Sequence, residues 1–340
     1  MITQFPPKRW LKRSATAALI LIVALAVLGS SYEAISERRD RERFPQRGTS
    51  VDVGGFRLNI NCTGQGSPAV ILESGLGTVA VPGWEPVQAD VSKFTRVCSY
   101  DRAGYGWSDP GPKPRTALEI ARELHALLQN GHVAPPYVLV GHSLGGMFVR
   151  VYSGLYPSEV AGMVLVDSSQ EDEWSRYPPS MRAVARKQLN QLKRRNRIDP
   201  LLIDLGIARV MASSGEPANE VLYLQLQSKY LDAVVSELES IDESAVETRA
   251  SGNLGDKPLI VLTAGQAMPD PEVPARDAEA FERMWVDEFQ PSLAKLSTRG
   301  KRIMVENSNH MIPLLQPKAV VNAIQEVLMD TKQNSAAVTR

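Results

Sequence analysis

What this chain has little of narrows the field first. Its 340 residues include only two cysteines, Cys62 and Cys98. That excludes a disulfide-stapled scaffold and a cysteine-rich zinc site. Histidine is scarce as well: His125, His132, His142 and His310. No two of them have HExxH spacing, so no zincin-type centre, and no metal or organic cofactor, is expected. An excess of either charge is missing, because 38 basic residues balance 38 acidic ones. Nucleic-acid partners call for a basic surplus, so none is expected. Apolar residues make up 43% of the chain. That is enough for a core, and the length suits one large domain with an insertion, or two domains.

What is present begins with an apolar run. "ATAALILIVALAVLG" (15–29) follows Lys8, Arg9, Lys12 and Arg13, the order of an export signal. The run is short for a membrane span unless Ser30–Tyr32 extend it, and "GSS" (29–31) is a weak cleavage site. Residues 1–32 are therefore read first as a retained signal anchor, second as a cleaved signal peptide, and third as a buried helix of a soluble protein. Arg38, Arg39, Arg41 and Arg43 make the flanking charge nearly symmetric. The signal-like order favours a cytoplasmic N-terminus with the bulk of the chain outside the cytoplasm, either membrane-anchored or secreted after cleavage. Residues 33–49 read as a linker, solvated or a short helix at the membrane surface.

From residue 50 the pattern alternates. "VDVGGFRLNINC" is a hairpin signal. "PAVILES", "FTRVCSYD", "PYVLVG" and "VAGMVLVD" are continuous apolar runs, as in strands buried on both faces. Residues 114–130 carry a helical stripe of Ala117, Ile120, Ala121, Leu124 and Leu127, and residues 144–156 read as another helix. Strand and helix alternate again in "KPLIVLTAG", a helix near 277–297, "KRIMVENS" and a helix near 317–330. This is an α/β class: a mostly parallel sheet with helices on both faces. Core segments 50–167 and 253–330 flank a helical insertion at 168–252, read as a cap over the strand ends, where such sheets bind ligands. The "KRRNR" run (193–197) reads as a solvated helix end, and residues 331–340 as a disordered tail.

"VLVGHSLGGM" supplies the chemistry. Gly141-His142-Ser143-Leu144-Gly145 fits G-x-S-x-G between a buried strand and a helix. A serine on such a strained turn is exposed as a nucleophile, and the helix N-terminus behind it favours a developing anion. Its hydroxyl needs a base. His125 lies within a helix and His132 in the loop after it. His142 adjoins Ser143 and leaves the turn in another direction, lining the pocket or supporting the turn. His310, in "ENSNHMIP" after the last buried strand, is at the same sheet edge and is the expected base.

With "SYDRAGYGWSD" (99–109), "GHSLGG" and "SNHMIP", residues 50–330 resemble the alpha/beta hydrolase fold family, in its esterase- and lipase-like branch. The resemblance implies an oxyanion hole from the N–H groups of Leu144 and Leu76. Here "ESGLG" has Ser74 where the family often has histidine, while Gly75 matches, beside the pocket. It also implies an acid three residues beyond Gly265, but Met268 stands there. Asp270 is the nearest carboxylate. Asp167, at the end of the preceding strand, is favoured as the acid, with Asp270 second and Glu171 a remoter choice. The second and fourth strands of that fold are neighbours, so Cys62 and Cys98 are close enough to bond, although two buried free thiols are the favoured expectation. Asp101 and Arg102 are expected to lock loops beside the site.

The reading is a serine hydrolase acting on a small-molecule acyl substrate, most readily an ester. Its membrane partner is reached through the N-terminal segment, and its oligomeric state is not legible. An amidase or peptidase, a carbon–carbon bond hydrolase and a cofactor-free perhydrolase are alternatives. A non-catalytic ligand-binding protein on the same scaffold is the rival of another class.

Overall fold

The continuous apolar runs form the centre of an eight-stranded sheet in the computed structural model, which describes residues 7–212 and 219–338. The strands are β1 (Thr49–Asp52), β2 (Arg57–Thr63), β3 (Ala69–Glu73), β4 (Val97–Asp101), β5 (Tyr137–His142), β6 (Val160–Val166), β7 (Leu259–Ala264) and β8 (Gly300–Val305). Their order is β1-β2-β4-β3-β5-β6-β7-β8, antiparallel through β1, β2 and β4 and parallel from β4 to β8. Every residue of β3, β4, β5 and β7 is buried. Successive side chains feed opposite layers, as a pleat of period two requires. Ile71 and Leu139 join one hydrophobic cluster, and Val70, Leu72, Val138 and Val140 the other.

Helices cover both faces. The first layer contains α3 (Ala117–Asn130) and α4 (Gly145–Leu155), and the second α2 (Ala80–Val91) and the C-terminal helix, α13 below. Helix α2 escaped the sequence reading because Pro82, Gly83 and Pro86 are helix-breaking signals. It forms nonetheless because Ala80, Trp84, Val87 and Val91 bury a continuous stripe.

Between β6 and β7 the chain runs through α5 (Pro179–Asp204), α6 (Ile207–Ala212), α7 (Glu220–Gln225), α8 (Ser228–Glu239) and α9 (Ile241–Ala250), with no strand among the described residues. After β7 come α10 (Ala275–Met284), a π-helical turn over Trp285–Phe289, and α11 (Gln290–Ala294). After β8 come α12 (Ile312–Leu315) and α13 (Pro317–Val338).

Three expectations are corrected. Cys62 and Cys98 are not free thiols: they form a disulfide, sitting directly opposite each other in the β2–β4 register with Cα atoms 4.0 Å apart. Residues 33–43 follow the helical alternative, not the linker, and as a continuation of the preceding helix rather than a separate short one. The N-terminal helix α1 (Pro7–Arg43) runs unbroken through them, and Glu33 and Asp40 are buried against Arg209 of α6. The tail expected to be disordered from residue 331 is helical through Val338, since "TKQNSAAV" contains neither proline nor glycine to stop α13.

Candidate active site

The carboxyl ends of the parallel strands bring the candidate residues to one edge. Ser143 follows β5 at φ 54°, a left-handed conformation costly for a residue with a Cβ. Three bonds hold it there: its N–H donates to the Val166 carbonyl (3.1 Å), and its own carbonyl accepts from the N–H groups of Gly146 and Ser169 (both 3.0 Å). The glycines around it answer to space. A Cβ on Gly141 would lie 2.7 Å from the Gly146 Cα, and one on Gly145 would lie 2.5 Å from the Ser74 carbonyl. The spacing of "GHSLGG" therefore records how closely strand, turn and helix pack.

Asp167 follows β6, also at positive φ (41°). Its Oδ2 accepts from His310 Nδ1 at 2.6 Å. Its Oδ1 accepts from the Ala264 N–H (3.0 Å) and from Trp285 Nε1 (3.0 Å). Burial alone raises the Asp167 pKa, but the His310 hydrogen bond and charge, with the Ala264 and Trp285 donors, outweigh it and leave the carboxyl below its ordinary value. For His310, burial favours the neutral ring, and the bond and charge of Asp167 more than reverse that, raising its pKa. Asp270 is turned elsewhere: its Oδ2 accepts from Gln188 of α5 (2.8 Å) and its Oδ1 from the Glu272 N–H (2.8 Å). Glu171 pairs with Arg150 of α4 at 2.5 Å, and Met268 is exposed. Of the candidate carboxylates, Asp167 is the one bonded to His310.

Ser143 and His310 share this rim, although no hydrogen bond joins their side chains among the described residues. The imidazole Nε2, not engaged by Asp167, is the nitrogen left to approach a hydroxyl. His142 braces the rim. Its Nε2–H donates to the His310 carbonyl (2.9 Å), its ring lies edge-on to Trp84, and burial lowers its pKa to about 4, so it stays neutral. The backbone of Gly75 abuts the serine, since a Cβ there would sit 3.0 Å from the Ser143 Cβ. Neither the Leu76 nor the Leu144 N–H has an acceptor among the described residues.

A cavity of about 650 Å³ opens beside Asp167 and His310, lined by Tyr177, Met181, Phe281, Trp285, Glu173 and Glu282 among others. Gly75 and His142, expected at the pocket, do not line it; they pack on the Ser143 side of the rim. Trp285 and Glu173 escaped the sequence reading, since nothing in their spacing marks them. Burial raises the Glu173 pKa to about 7, against hydrogen bonds from Ser169 and Tyr177 that lower it.

Arg102 ties this edge to the insertion. Its guanidinium pairs with Glu73 (2.6 Å) and Glu237 of α8 (2.8 and 3.0 Å), and donates to the carbonyls of Ser74 (2.7 Å) and Gly75 (3.0 Å). Asp101 accepts from Asn59 Nδ2 (3.1 Å) and the Ala80 N–H (3.1 Å). These two residues lock the loop that carries Gly75 against its neighbours.

Against known proteins, the family described as alpha/beta hydrolase fold matches residues 68–202. The uncharacterized protein YbdG of Bacillus subtilis is 31% identical over 166 residues, which cover 47% of this chain and 49% of YbdG, so the chain spans about half the length of that relative. The uncharacterized protein YqjL of the same organism is 26% identical over 275 residues, 80% of this chain and 88% of YqjL. Among solved structures, a thermophilic esterase from Thermogutta terrifontis superposes with a TM-score of 0.53 at 21% identity, covering 83% of this chain and 98% of the esterase, a likeness of fold.

Proposed function

We propose that this chain, which has the alpha/beta hydrolase fold and matches that family over residues 68–202, is a serine hydrolase of carboxylic esters, held at a membrane by α1. The fold supports a hydrolase. The observation that carries the reading further is the bond from His310 Nδ1 to a carboxylate already filled by two other donors, on the same rim as a serine at positive φ.

The reaction follows from that geometry. Ser143 Oγ attacks the ester carbonyl while His310 Nε2 takes its proton, and Asp167 orients the ring and stabilises its cation. The N–H groups of Leu76 and Leu144 receive the carbonyl oxygen as it becomes an anion. Collapse of this intermediate breaks the carbon–oxygen bond, and His310 returns the proton to the departing alcohol. Water then attacks the acyl-serine by the same proton route, releasing the acid and restoring Ser143. The cavity with Met181, Phe281 and Trp285 accepts an apolar portion of the substrate.

A fluorophosphonate probe tests the nucleophile. Labelling of the wild type that vanishes in Ser143→Ala is expected. Folded protein that takes no label would instead be a binding protein on this scaffold. p-Nitrophenyl esters of graded acyl length, run beside the matching anilides, test the bond: esters should turn over and anilides should not. The pH profile supplies a separate check. The base acts as neutral imidazole, and Asp167 raises its pKa. Hence kcat/KM should fall as pH drops through a value above the ordinary histidine figure of about 6.5. A limb at or below that figure would contradict the role given to Asp167.

The anchor reading rests on α1. Within Lys12–Arg43 an 18-residue window has a mean hydropathy of 2.1, and none of it is buried. Leu19, Ile20, Leu21 and Ile22 are each about 60% exposed, a large apolar surface that lipid would cover.

A further inference from the structure

The insertion meets α1 where the apolar run ends. A Cβ on Gly29 would collide with the Leu205 carbonyl at the end of α5, and one on Gly206 would lie 3.0 Å from the Gly29 carbonyl. Just beyond, Arg209 of α6 clamps Glu33 through two bonds (2.9 and 2.8 Å) and also pairs with Asp40. These side chains are at most 11% exposed. The α5–α6 turn is therefore fixed at the level of residue 29, where the apolar run 15–29 ends.

Around this junction the surface is unusually apolar. Leu201 is 60% exposed and Ile207 41%, with Ile198 at 49% on the same stretch of α5. Tyr32 and Ile35 of α1 add 47% and 54%. The basic run that the hydrolase chemistry does not use borders this patch on α5. Lys193 and Arg195 pair with Glu239 and Asp199, while Arg194 and Arg197 are exposed. Exposed aliphatic side chains rimmed by basic ones are the pattern of an element lying in a bilayer interface that carries anionic headgroups.

We propose that the α5–α6 turn of the insertion is a second membrane contact: Leu201 and Ile207 enter the headgroup region of the leaflet from which α1 emerges, and Arg194 and Arg197 engage anionic phospholipid. This rests on the reading of α1 as an anchor and adds to it a fixed orientation of the insertion against the bilayer.

The test uses the full-length chain in vesicles of phosphatidylcholine and phosphatidylglycerol. Both native cysteines are bonded, so Leu201→Cys or Ile207→Cys offers a single thiol for a bimane fluorophore. Leu21→Cys, read with phospholipids bearing a nitroxide deep in the acyl chain, reports the apolar run, and Glu326→Cys on α13 is the reference. Phospholipids bearing a nitroxide near the headgroup should quench the fluorophores at 201 and 207 at least about threefold more than the one at 326. Replacing Arg194 and Arg197 with glutamine should shrink that quenching toward its value in phosphatidylcholine alone. Quenching at 21 with none at 201 and 207, or equal quenching at 326, overturns the second contact and leaves the anchor intact. Quenching at 201 and 207 with none at 21 overturns the anchor and leaves the second contact standing.

Discussion

Asp167→Asn is expected to lower kcat on a short p-nitrophenyl ester by about 10⁴-fold, as orienting aspartates of such triads do, whereas Asp270→Asn should leave it nearly unchanged. The reason lies in the second oxygen. Asp167 Oδ1 accepts from two fixed donors, the Ala264 N–H and Trp285 Nε1. In the asparagine variant those donors hold the amide oxygen in that place and turn the NH₂ group toward His310. A donor facing Nδ1 forces the ring proton onto Nε2, the nitrogen that must be free to receive the serine proton. The geometry would survive while the tautomer is wrong, so KM should change far less than kcat. Near-full turnover in Asp167→Asn together with collapse in Asp270→Asn would move the orienting role to the α5-bonded carboxylate.

Arg102→Met should cost about 3–5 kcal/mol of stability, the usual penalty for removing one partner from a buried ion network. Arg102, Glu73 and Glu237 are each no more than 2% exposed at the side chain. Methionine fills the stem's volume but leaves two carboxylates in the interior without their cation. Against a typical total of about 5–15 kcal/mol, that is a large fraction. Arg122→Ala is the natural comparison, since its pair with Glu119 on α3 is 56% and 39% exposed. Removing an exposed pair should cost under about 1 kcal/mol. Denaturant midpoints for the two variants give the comparison, and similar losses would mean that the Arg102 network is not what holds the insertion to the core. Arg102→Met should also lose activity, because the guanidinium binds the carbonyls of Ser74 and Gly75 beside the serine.

Much of this was legible because burial on both faces leaves a plain trace. β3, β5, β6 and β7 stand in the sequence as unbroken apolar runs, and close packing at the turn wrote Gly141, Gly145 and Gly146 into one short motif. The parts that escaped lack a local trace. Helix α2 forms in spite of its prolines because tertiary packing outweighs propensity. Trp285 reaches Asp167 from 118 residues away, and no periodicity encodes such a contact. The Cys62–Cys98 bond depends on register across two antiparallel strands, which composition does not reveal. The segment 33–43 looked like linker because its charges are dense; their partner lay in α6.

That last pairing also has a consequence in time. Arg209 is separated from Glu33 by 176 residues and from Asp40 by 169. At about 5–20 residues per second, it leaves the ribosome roughly 9 to 35 seconds after they do. Through that interval the two carboxylates are without Arg209 and stay hydrated. The polar end of α1 therefore waits, undocked, for the insertion to be made. A nascent chain halted before residue 209 carries an N-terminal helix whose Glu33 and Asp40 lack the arginine they close on.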